Sequence, residues 1–381
     1  MTETTNQGTA ATVASGSSLV IGVYNNLPCL AQSGGAKMVY DAIVNFGLPG
    51  PAVMFWQASA WTQSAPAGLK AQPLINGQPD QTLGTAAFLN ASAIHGALLR
   101  RRALMQPLPQ GESMVSVVAA NGVITDRNDT VNMAVLDISD ISTPPQVRLS
   151  QWGTAVGSNN LYTTQSFISG GGPLLVSLAA TAWSKPANNM IGGLLYLDNQ
   201  PIAYAQIWAN QPNSHICLVG GDRVLNVGAG GHTLKFLADT QSTIDTNDVW
   251  SLSVIEMAPG GPSKATQLLN NNACQAQSGG GLVASAPYQA TGGVQMICLW
   301  LSGYSAKAGQ TLQARVLVDG NPVGTLQIFA NQAETHMLLC GGDIASGSMP
   351  PGQHTIQVVA GSNLVTDQND RCSLTVLEVF P

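Results

Sequence analysis

Charge is the scarcest property of this chain. Only 9% of its 381 residues are Asp, Glu, Lys or Arg, whereas a typical soluble domain has roughly a quarter. The formal net charge of −6 does not fit the basic face that a nucleic-acid-binding protein needs, so we expect no nucleic-acid partner. With 41 glycines and 21 prolines, the surface must consist mainly of Ser, Thr, Asn, Gln and Gly. Such a surface suits extracellular β-sandwiches and the outer proteins of assemblies.

Long apolar runs are also missing from the sequence. No stretch reaches the roughly 20 residues that span a bilayer, and residues 1–18 carry Glu3 as their only charge and have no apolar run, unlike a signal peptide. We therefore expect no membrane partner. Residues 1–17 form a polar tail that would be disordered in isolation, and we expect a neighbouring molecule to hold it.

Signatures of catalysis and of metal cages are absent as well. The sequence has no Cys-x-x-Cys, no His-x-x-x-His and no nucleophile elbow. The six cysteines do not recur with a domain period, as a disulfide framework would. We interpret them as free, mostly buried thiols of a protein that assembles in a reducing cytoplasm. We expect neither enzyme activity nor a cofactor.

What the chain does contain is a stretch that occurs three times. An Asp-x-Asn-Asp turn, followed by an apolar strand, begins at Asp126, Asp245 and Asp367, at intervals of 119 and 122 residues. A repeat of that length is a whole domain. The predicted boundaries are a polar tail at 1–17, a divergent copy one at 18–142, copy two at 147–258 and copy three at 264–381.

Each copy has the pattern of an antiparallel sandwich. Short apolar runs alternate with turn signals about every ten residues, and no stretch shows helical periodicity. Asp319-Gly320 lies between two alternating runs and predicts a type I′ hairpin, with Asn76-Gly77 and Asp198-Asn199 at the matching places. We predict an all-β protein of three tandem homologous antiparallel β-sandwich domains that resemble jelly rolls.

The closing strand of each copy predicts contact between copies. One face alternates regularly, as in Cys372, Leu374 and Val376, and ends in an acidic residue, here Glu378. Leu136, Ile255 and Leu377 point the other way. We expect the acidic residue at the sandwich rim and the second apolar face against a neighbouring copy.

The repeated turn offers weak candidates for calcium ligands. Oxygen atoms could come from the three matching sets Asp126/Asn128/Asp129, Asp245/Asn247/Asp248 and Asp367/Asn369/Asp370. Calcium needs about six to eight oxygens, and the alternative is an Asx turn in which the side chains bond backbone N–H groups. We favour the turn.

Two further sets of residues recur at matching positions. An Asn and a His five residues later could form a polar ligand patch, and an aromatic residue at a strand end could stack on sugar rings. These candidates are Asn90/His95, Asn210/His215 and Asn331/His336, and Trp61, Trp183 and Tyr304. Structural roles, closing a loop and filling the core, are the alternatives that we favour.

Copy one alone carries a run of basic residues. Arg100, Arg101 and Arg102 are three of only fourteen Lys and Arg residues. The run could be an ordinary solvated loop, or it could dock onto an acidic surface of a partner protein.

Copy three combines three motifs that suggest a family. Asp319-Gly320, His354-Thr355-Ile356 and the stretch from Asp367 to Glu378 together resemble the β-sandwich modules of tailed-bacteriophage virion proteins, such as head decoration (cement) proteins, fibres and tail appendages. Copy two keeps most of these motifs, whereas copy one lacks the His-Thr pair. The resemblance implies a non-enzymatic structural role.

These observations predict a virion protein that is assembled in the host cytoplasm and decorates a phage head. The expected partners are the major capsid protein or other virion proteins. Three equivalent domains could also pack on one another around a pseudo-threefold axis, because matching surfaces form matching contacts. The alternative is a tail-fibre or receptor-binding adhesion protein that recognises carbohydrate.

Overall fold

The computed structural model describes residues 20–33, 42–46, 49–139, 141 and 143–380. The tail at 1–17 lies outside these residues. Across the described residues the chain forms strands and two short 3₁₀ helices, Gln81–Leu83 and Ser158–Asn160, which confirms the all-β prediction. No helix in this part of the chain is long and apolar enough to cross a membrane.

Copy one is a sandwich of two main sheets with a small third sheet. Its strands are β1 (Val20–Pro28), β2 (Gln32–Ser33), β3 (Ala42–Phe46), β4 (Ala52–Ala60), β5 (Ala67–Ile75), β6 (Gln78–Pro79), β7 (Thr85–Leu89), β8 (Gly96–Ala97), β9 (Arg101–Leu104), β10 (Gly111–Ala119), β11 (Ile124–Thr125) and β12 (Thr130–Asp137). One sheet has the order β1-β12-β4, with β8 and β9 on the far side of β4, and the other has the order β3-β10-β5, with β6 and β7 beyond β5. The small third sheet is formed by β2 and β11. All of these pairings are antiparallel.

Copy two repeats the arrangement of the two main sheets. Its strands are β13 (Gln146–Thr154), β14 (Leu161–Ser169), β15 (Pro173–Ala182), β16 (Asn189–Leu197), β17 (Gln200–Ala209), β18 (Ile216–Cys217), β19 (Gly221–Asn226), β20 (Gly230–Ala238) and β21 (Val249–Glu256). The sheets have the orders β13-β21-β15, with β18 and β19 beyond β15, and β14-β20-β16-β17.

Copy three has the same order again. Its strands are β22 (Lys264–Ala273), β23 (Gln277–Ser278), β24 (Leu282–Ala290), β25 (Val294–Gly303), β26 (Gln310–Val318), β27 (Asn321–Ala330), β28 (Met337–Leu338), β29 (Asp343–Ser348), β30 (Gly352–Ala360), β31 (Val365–Thr366) and β32 (Arg371–Val379). The sheets are β22-β32-β25, with β28 and β29 beyond β25, and β24-β30-β26-β27.

The predicted hairpins are present in all three copies. Asp319 and Gly320 have φ of 50° and 81°, and the corresponding pairs in copies one and two also have positive φ at both positions. This is the type I′ geometry that Asn, Asp and Gly tolerate. The turn fixes the register of β26 on β27, with Val318 opposite Asn321.

The closing strands β12, β21 and β32 are buried on both faces. Their inward residues fill the sandwich cores. Their outward residues Leu136, Ile255 and Leu377 meet in a separate apolar cluster with Phe55, Leu175 and other residues of all three copies. The predicted packing of the second face on neighbouring copies is confirmed.

In copies two and three, the acidic residue at the end of the closing strand is buried beneath a loop. Glu378 accepts hydrogen bonds from the backbone N–H groups of Thr291, Gly292 and Gly293 at 2.9–3.0 Å. Glu256 accepts equivalent bonds from Gly170 and Gly172. Burial opposes ionisation, but these donors hold the pKa of both carboxyls at about 2. The charge therefore anchors the loop between the second and third long strands.

Candidate functional site: the three seams between the copies

One repeated contact joins the copies in a closed cycle. Asn90 Oδ1 of copy one accepts the backbone N–H of His215 at 2.7 Å. Asn210 Oδ1 of copy two accepts that of His336 at 3.1 Å, and Asn331 Oδ1 of copy three accepts that of His95 at 2.8 Å. We call these contacts the one-two, two-three and three-one seams.

Local structure places each Asn and His at the same end of the sandwich. Each Asn directly follows a hairpin arm (β7, β17 or β27), and each His precedes a short strand (β8, β18 or β28). Between them, Ala93, Asn213 and Glu334 adopt φ of 54–56°. Their N–H groups donate to Thr62, Ser184 and Ser305 carbonyls. These bonds lock the turn that presents the His to the neighbouring copy.

The first strand of each copy extends the seams. Asn25 Oδ1 on β1 accepts the N–H of Thr325 in copy three at 2.8 Å. Gln267 on β22 donates to the Asp222 carbonyl of copy two at 2.6 Å. The Gln151 carbonyl on β13 accepts from Arg101 of copy one at 3.0 Å. Each first strand thus lies against another copy, and these contacts also close a cycle.

The Asp-x-Asn-Asp loops form Asx turns in all three copies. The first Asp accepts a backbone N–H two residues later at 2.7 Å, and the last Asp accepts the N–H of the first at 2.9–3.0 Å. The residues that donate the 2.7 Å bonds are Asn128, Asn247 and Asn369. The carboxylates are therefore used to close the turn.

This geometry is the Asx turn that is favoured on sequence grounds over a calcium site. Asn128, Asn247 and Asn369 each contribute a backbone N–H to the turn. In each copy, ligand atoms of the two aspartates of the loop and of the seam histidine lie within 4.8 Å of one another. Because imidazole is a ligand for transition metals and calcium prefers oxygen, this donor set does not suit calcium.

Two of the three histidines contact the buried aspartate directly. His95 Nδ1 lies 2.8 Å from Asp129 Oδ1, and His336 Nδ1 lies 2.7 Å from Asp370 Oδ1. His215 is different, because its Nδ1 lies 2.9 Å from Asn90 Oδ1 across the seam. Burial raises the pKa of Asp129, although His95 opposes the shift.

The predicted aromatic candidates pack on the same imidazoles. Ring centroids are 6.1 Å apart for Trp61 and His95, 6.0 Å for Trp183 and His215, and 4.7 Å for Tyr304 and His336. Across the seams, Phe88 packs edge-on against His215 and Phe329 against His95. Trp61, Trp183 and Tyr304 are half-buried. The aromatic, Asn/His and Asp candidates, predicted as separate sets, therefore meet at the seams.

The three seams line one pocket that is open to solvent. Its empty volume is about 660 Å³ including the open part, and all three copies contribute to its wall. Ile94, Gln211, Gln332 and the three seam histidines line it. Gln211 of copy two also donates a hydrogen bond to Gln332 of copy three.

The arginine run lies inside the protein, which corrects both sequence interpretations. Arg100, Arg101 and Arg102 are 3%, 0% and 2% exposed, so they neither form a solvated loop nor face a separate partner. Arg102 contacts Asp222 Oδ1 at 2.6 Å and Asp343 Oδ1 at 2.8 Å. The acidic surface that the run binds belongs to copies two and three.

Arg100 and Arg101 also bind copies two and three, and we call the contacts of the three arginines the internal clamp. The Arg100 guanidinium lies 3.9 Å from the ring centroid of Trp300 and donates to the Leu299 carbonyl at 2.8 Å. Arg101 donates to Ser251 Oγ at 3.0 Å. Burial lowers the pKa of Arg101 to about 9, whereas Asp222 and Asp343 outweigh burial and raise that of Arg102.

Strand register shows what the arginines replace. Phe55, Ser177 and Cys298 hold the same place in the copies and pair with Arg102, Asp222 and Asp343. The run Arg100–Arg102 therefore occupies the place of Gly-Gly-Asp in copies two and three. Sequence reasoning missed the two aspartates, and an alignment of the three copies at Gly-Gly-Asp would have found them.

No protein-family model matches the chain, and no curated protein matches its sequence. Among solved structures, PNGF-II aligns at 8% identity over 85% of this chain and 98% of its own, with a TM-score of 0.30. A structure of Sulfolobus turreted icosahedral virus aligns at 8% identity over 94% and 90%, with a TM-score of 0.23. A triple jelly roll from an archaeal virus turret aligns at 10% over 94% and 89%, with a TM-score of 0.22.

Proposed function

We propose that this chain is a non-enzymatic structural protein of a virus particle that decorates and reinforces the shell as a pseudo-threefold unit. The observation that carries the proposal is the closed cycle of Asn–His contacts through Asn90, Asn210 and Asn331. Head-to-tail contacts that close on themselves produce a ring. A ring of this kind matches a threefold or quasi-threefold position on an icosahedral shell.

The recurring polar side chains hold the fold of each copy and the seams between the copies. The buried aspartates Asp129, Asp248 and Asp370 accept bonds from a hydroxyl group and from a backbone N–H group of the same copy. Each seam Asn holds a backbone N–H of the next copy. Groups committed in this way stabilise a scaffold and are not free for proton transfer, which favours a structural role over catalysis.

The partner in this proposal is the major capsid protein or another virion protein, and the site of action is the particle. Mass spectrometry and electron cryomicroscopy of purified particles test it. We expect the chain on the outer shell at threefold positions, and particles without it should lose their genome at lower temperature or lower salt. Absence from particles, or unchanged stability after its removal, would refute the proposal.

The pocket between the seams favours one alternative function, that of an adhesion protein that binds a glycan on the host. Gln211 and Gln332 supply amide groups to its lining, and their contact with each other is exposed. Gln211→Ala with Gln332→Ala should then abolish glycan-array binding and reduce host attachment. The matched control is Gln313→Ala with Gln327→Ala, an amide pair on β26 and β27 of copy three. No array signal for the unaltered protein would exclude the adhesion role.

A further inference from the structure

The three seams differ in which ring nitrogen of the histidine faces the buried aspartate. His215 is 6% exposed, and its Nε2 is buried without a hydrogen-bond partner. This nitrogen lies 3.5 Å from Asp245 Oδ1 and 3.5 Å from Asp248 Oδ2. In copies one and three the equivalent imidazole touches its aspartate at 2.8 and 2.7 Å. Copy two therefore contains a gap between three donor atoms.

Two of the separations in this gap have the dimensions of a metal-binding site, and ligand atoms of the three residues lie within 4.8 Å of one another. A tetrahedral Zn²⁺ holds nitrogen and oxygen ligands at about 2.0–2.2 Å, which places neighbouring ligand atoms about 3.3–3.6 Å apart. The two nitrogen–oxygen distances of 3.5 Å match this separation. A shared proton fits less well, because charge-assisted hydrogen bonds are about 2.7–2.9 Å long.

We propose that His215 Nε2, Asp245 Oδ1 and Asp248 Oδ2 bind one transition-metal dication of the Zn²⁺ class, with water as the fourth ligand. One imidazole and two carboxylates suit such an ion better than Ca²⁺. The Asp245 side chain is 41% exposed, which gives the ion and its water a path from solvent. The two carboxylates balance the charge of the ion.

Asn90, on the other side of the seam, determines which ring nitrogen of His215 can bind a metal ion. Its Oδ1 accepts the proton on His215 Nδ1 at 2.9 Å, which leaves Nε2 as the nitrogen with a free lone pair. Metal-bound imidazoles usually donate their second N–H in this way. Because Asn90 belongs to copy one and the ligands to copy two, the ion is bound most tightly when the one-two seam is closed.

In copies one and three, the seam asparagine accepts no hydrogen bond from the histidine ring. Asn331 and Asn210 accept only the backbone N–H of His95 and His336, and Nδ1 of each of these rings is held by an aspartate. The buried aspartate is therefore not beside Nε2 in these copies, and an ion could bind the ring together with that aspartate at Nδ1 only by breaking this bond. One site per chain is therefore expected, not three.

The test uses the full chain, stripped with EDTA and titrated with Co²⁺ and Zn²⁺. We expect one Co²⁺ per chain, with the intense visible bands of a four-coordinate ion, and displacement of that Co²⁺ by Zn²⁺. Asp245→Asn should weaken binding at least tenfold, because the amide can still accept the N–H of Asn247 while the charge is lost. The matched variant Asp367→Asn in copy three should bind as the unaltered protein does.

Asn90 provides a second variant that removes no ligand. Asn90→Ala should weaken Zn²⁺ binding by about 10- to 100-fold, and the matched Asn210→Ala should leave it unchanged. Three ions per chain, equal binding of Ca²⁺, or full affinity in Asp245→Asn would each overturn the proposal. Absence of Co²⁺ bands in the unaltered protein would overturn it as well.

Discussion

Arg102 is the residue at which the three copies stop being equivalent. It stands where copies two and three carry Asp222 and Asp343, and it contacts both carboxylates while being 2% exposed. A third aspartate there would place three like charges in a buried space, where they could not all ionise. Together with Arg100, whose Nε lies 3.5 Å from Asp343 Oδ2, Arg102 balances the charge of the two carboxylates. It also fills volume next to Phe55, whose ring centroid lies 5.5 Å away.

Removal of that charge tests the clamp. Arg102→Met leaves Asp222 buried without a counter-charge and leaves Asp343 with Arg100 alone, whose Nε lies 3.5 Å from Asp343 Oδ2, so we expect a loss of about 3–5 kcal/mol in the free energy of unfolding. Urea denaturation measures it. The combined variant Arg102→Met, Asp222→Asn removes this buried pair of charges, keeps Asp343 with Arg100, and should recover most of the loss. Equal stability of the single and combined variants would argue against the clamp.

Glu378 predicts how stability depends on pH. Its pKa is lowered from 4.5 to about 2 in the folded protein, so its contribution is fully present above pH 4.5 and disappears as the pH falls towards 2. Glu378→Gln should cost about 2 kcal/mol at pH 7 and flatten the loss of stability between pH 4.5 and 2. Thermal unfolding across this range measures both effects, with the exposed Glu112→Gln as a control that should change neither.

At the residue scale, the sequence identified most seam residues but not their association. Trp183, His215 and Asp245 were visible because they recur, whereas their convergence depends on the fold. The arginine run was misplaced because basic runs are usually solvated. What buries Arg102 is a pair of partners 120 and 241 positions away, which no local pattern encodes.

The hairpin between β26 and β27 is stabilised by a charged histidine. His354 Nδ1 lies 2.6 Å from Asp319 Oδ2, and its Nε2 lies 2.9 Å from the Pro350 carbonyl. Both nitrogens donate, so the ring is an imidazolium, and these bonds raise its pKa above 6.5. The hairpin of copy two has the same pair, His232 and Asp198.

This pair predicts a titration opposite in sign to that of Glu378. Because the folded pKa of His354 is raised, its contribution is fully present below pH 6.5 and is lost as the pH rises through the raised value. NMR titration should give His354 and His232 a pKa above 6.5. Asp319→Asn should lower that of His354 and leave His232 unchanged, whereas a normal pKa for His354 in the unaltered protein would contradict the assignment.

The strands and hairpins were the most predictable part of the structure. The hairpins followed from turn chemistry at Asn76, Asp198 and Asp319, and the double burial of β32 followed from apolar residues on both of its faces. The short strands β8, β18 and β28 were not predictable as pairing partners, since two residues carry no period. They matter because they pair with the ends of β4, β15 and β25 and position the seam histidines.

On the scale of the whole molecule, the seams should hold the copies together without the linkers. A protease site inserted between Gly260 and Gly261 allows the chain to be cut between copies two and three. We expect the two pieces to co-elute as one particle in gel filtration and to unfold in a single transition, because the shared apolar cluster and the seams remain. Separation of the pieces under native conditions would show that the linkers maintain the ring.

The three-domain organisation was readable from the repeat, since a period of 119 to 122 residues spans a sandwich. The direction in which the copies contact one another around the cycle was not readable from the sequence. It depends on which face of one copy meets which face of the next, as when Asn90 reaches His215. Such a pairing is a property of surfaces far apart in sequence.

Arg102 gives a physical reason for joining the three copies in one chain. Separate identical subunits around an axis must present the same side chain three times, so they could place three acids or three bases at that point but never two acids and one base. Joining the copies in one polypeptide removes that constraint, because each copy can carry its own side chain. A homotrimer built from copy two or copy three alone would place three carboxylates at this point and repel itself there.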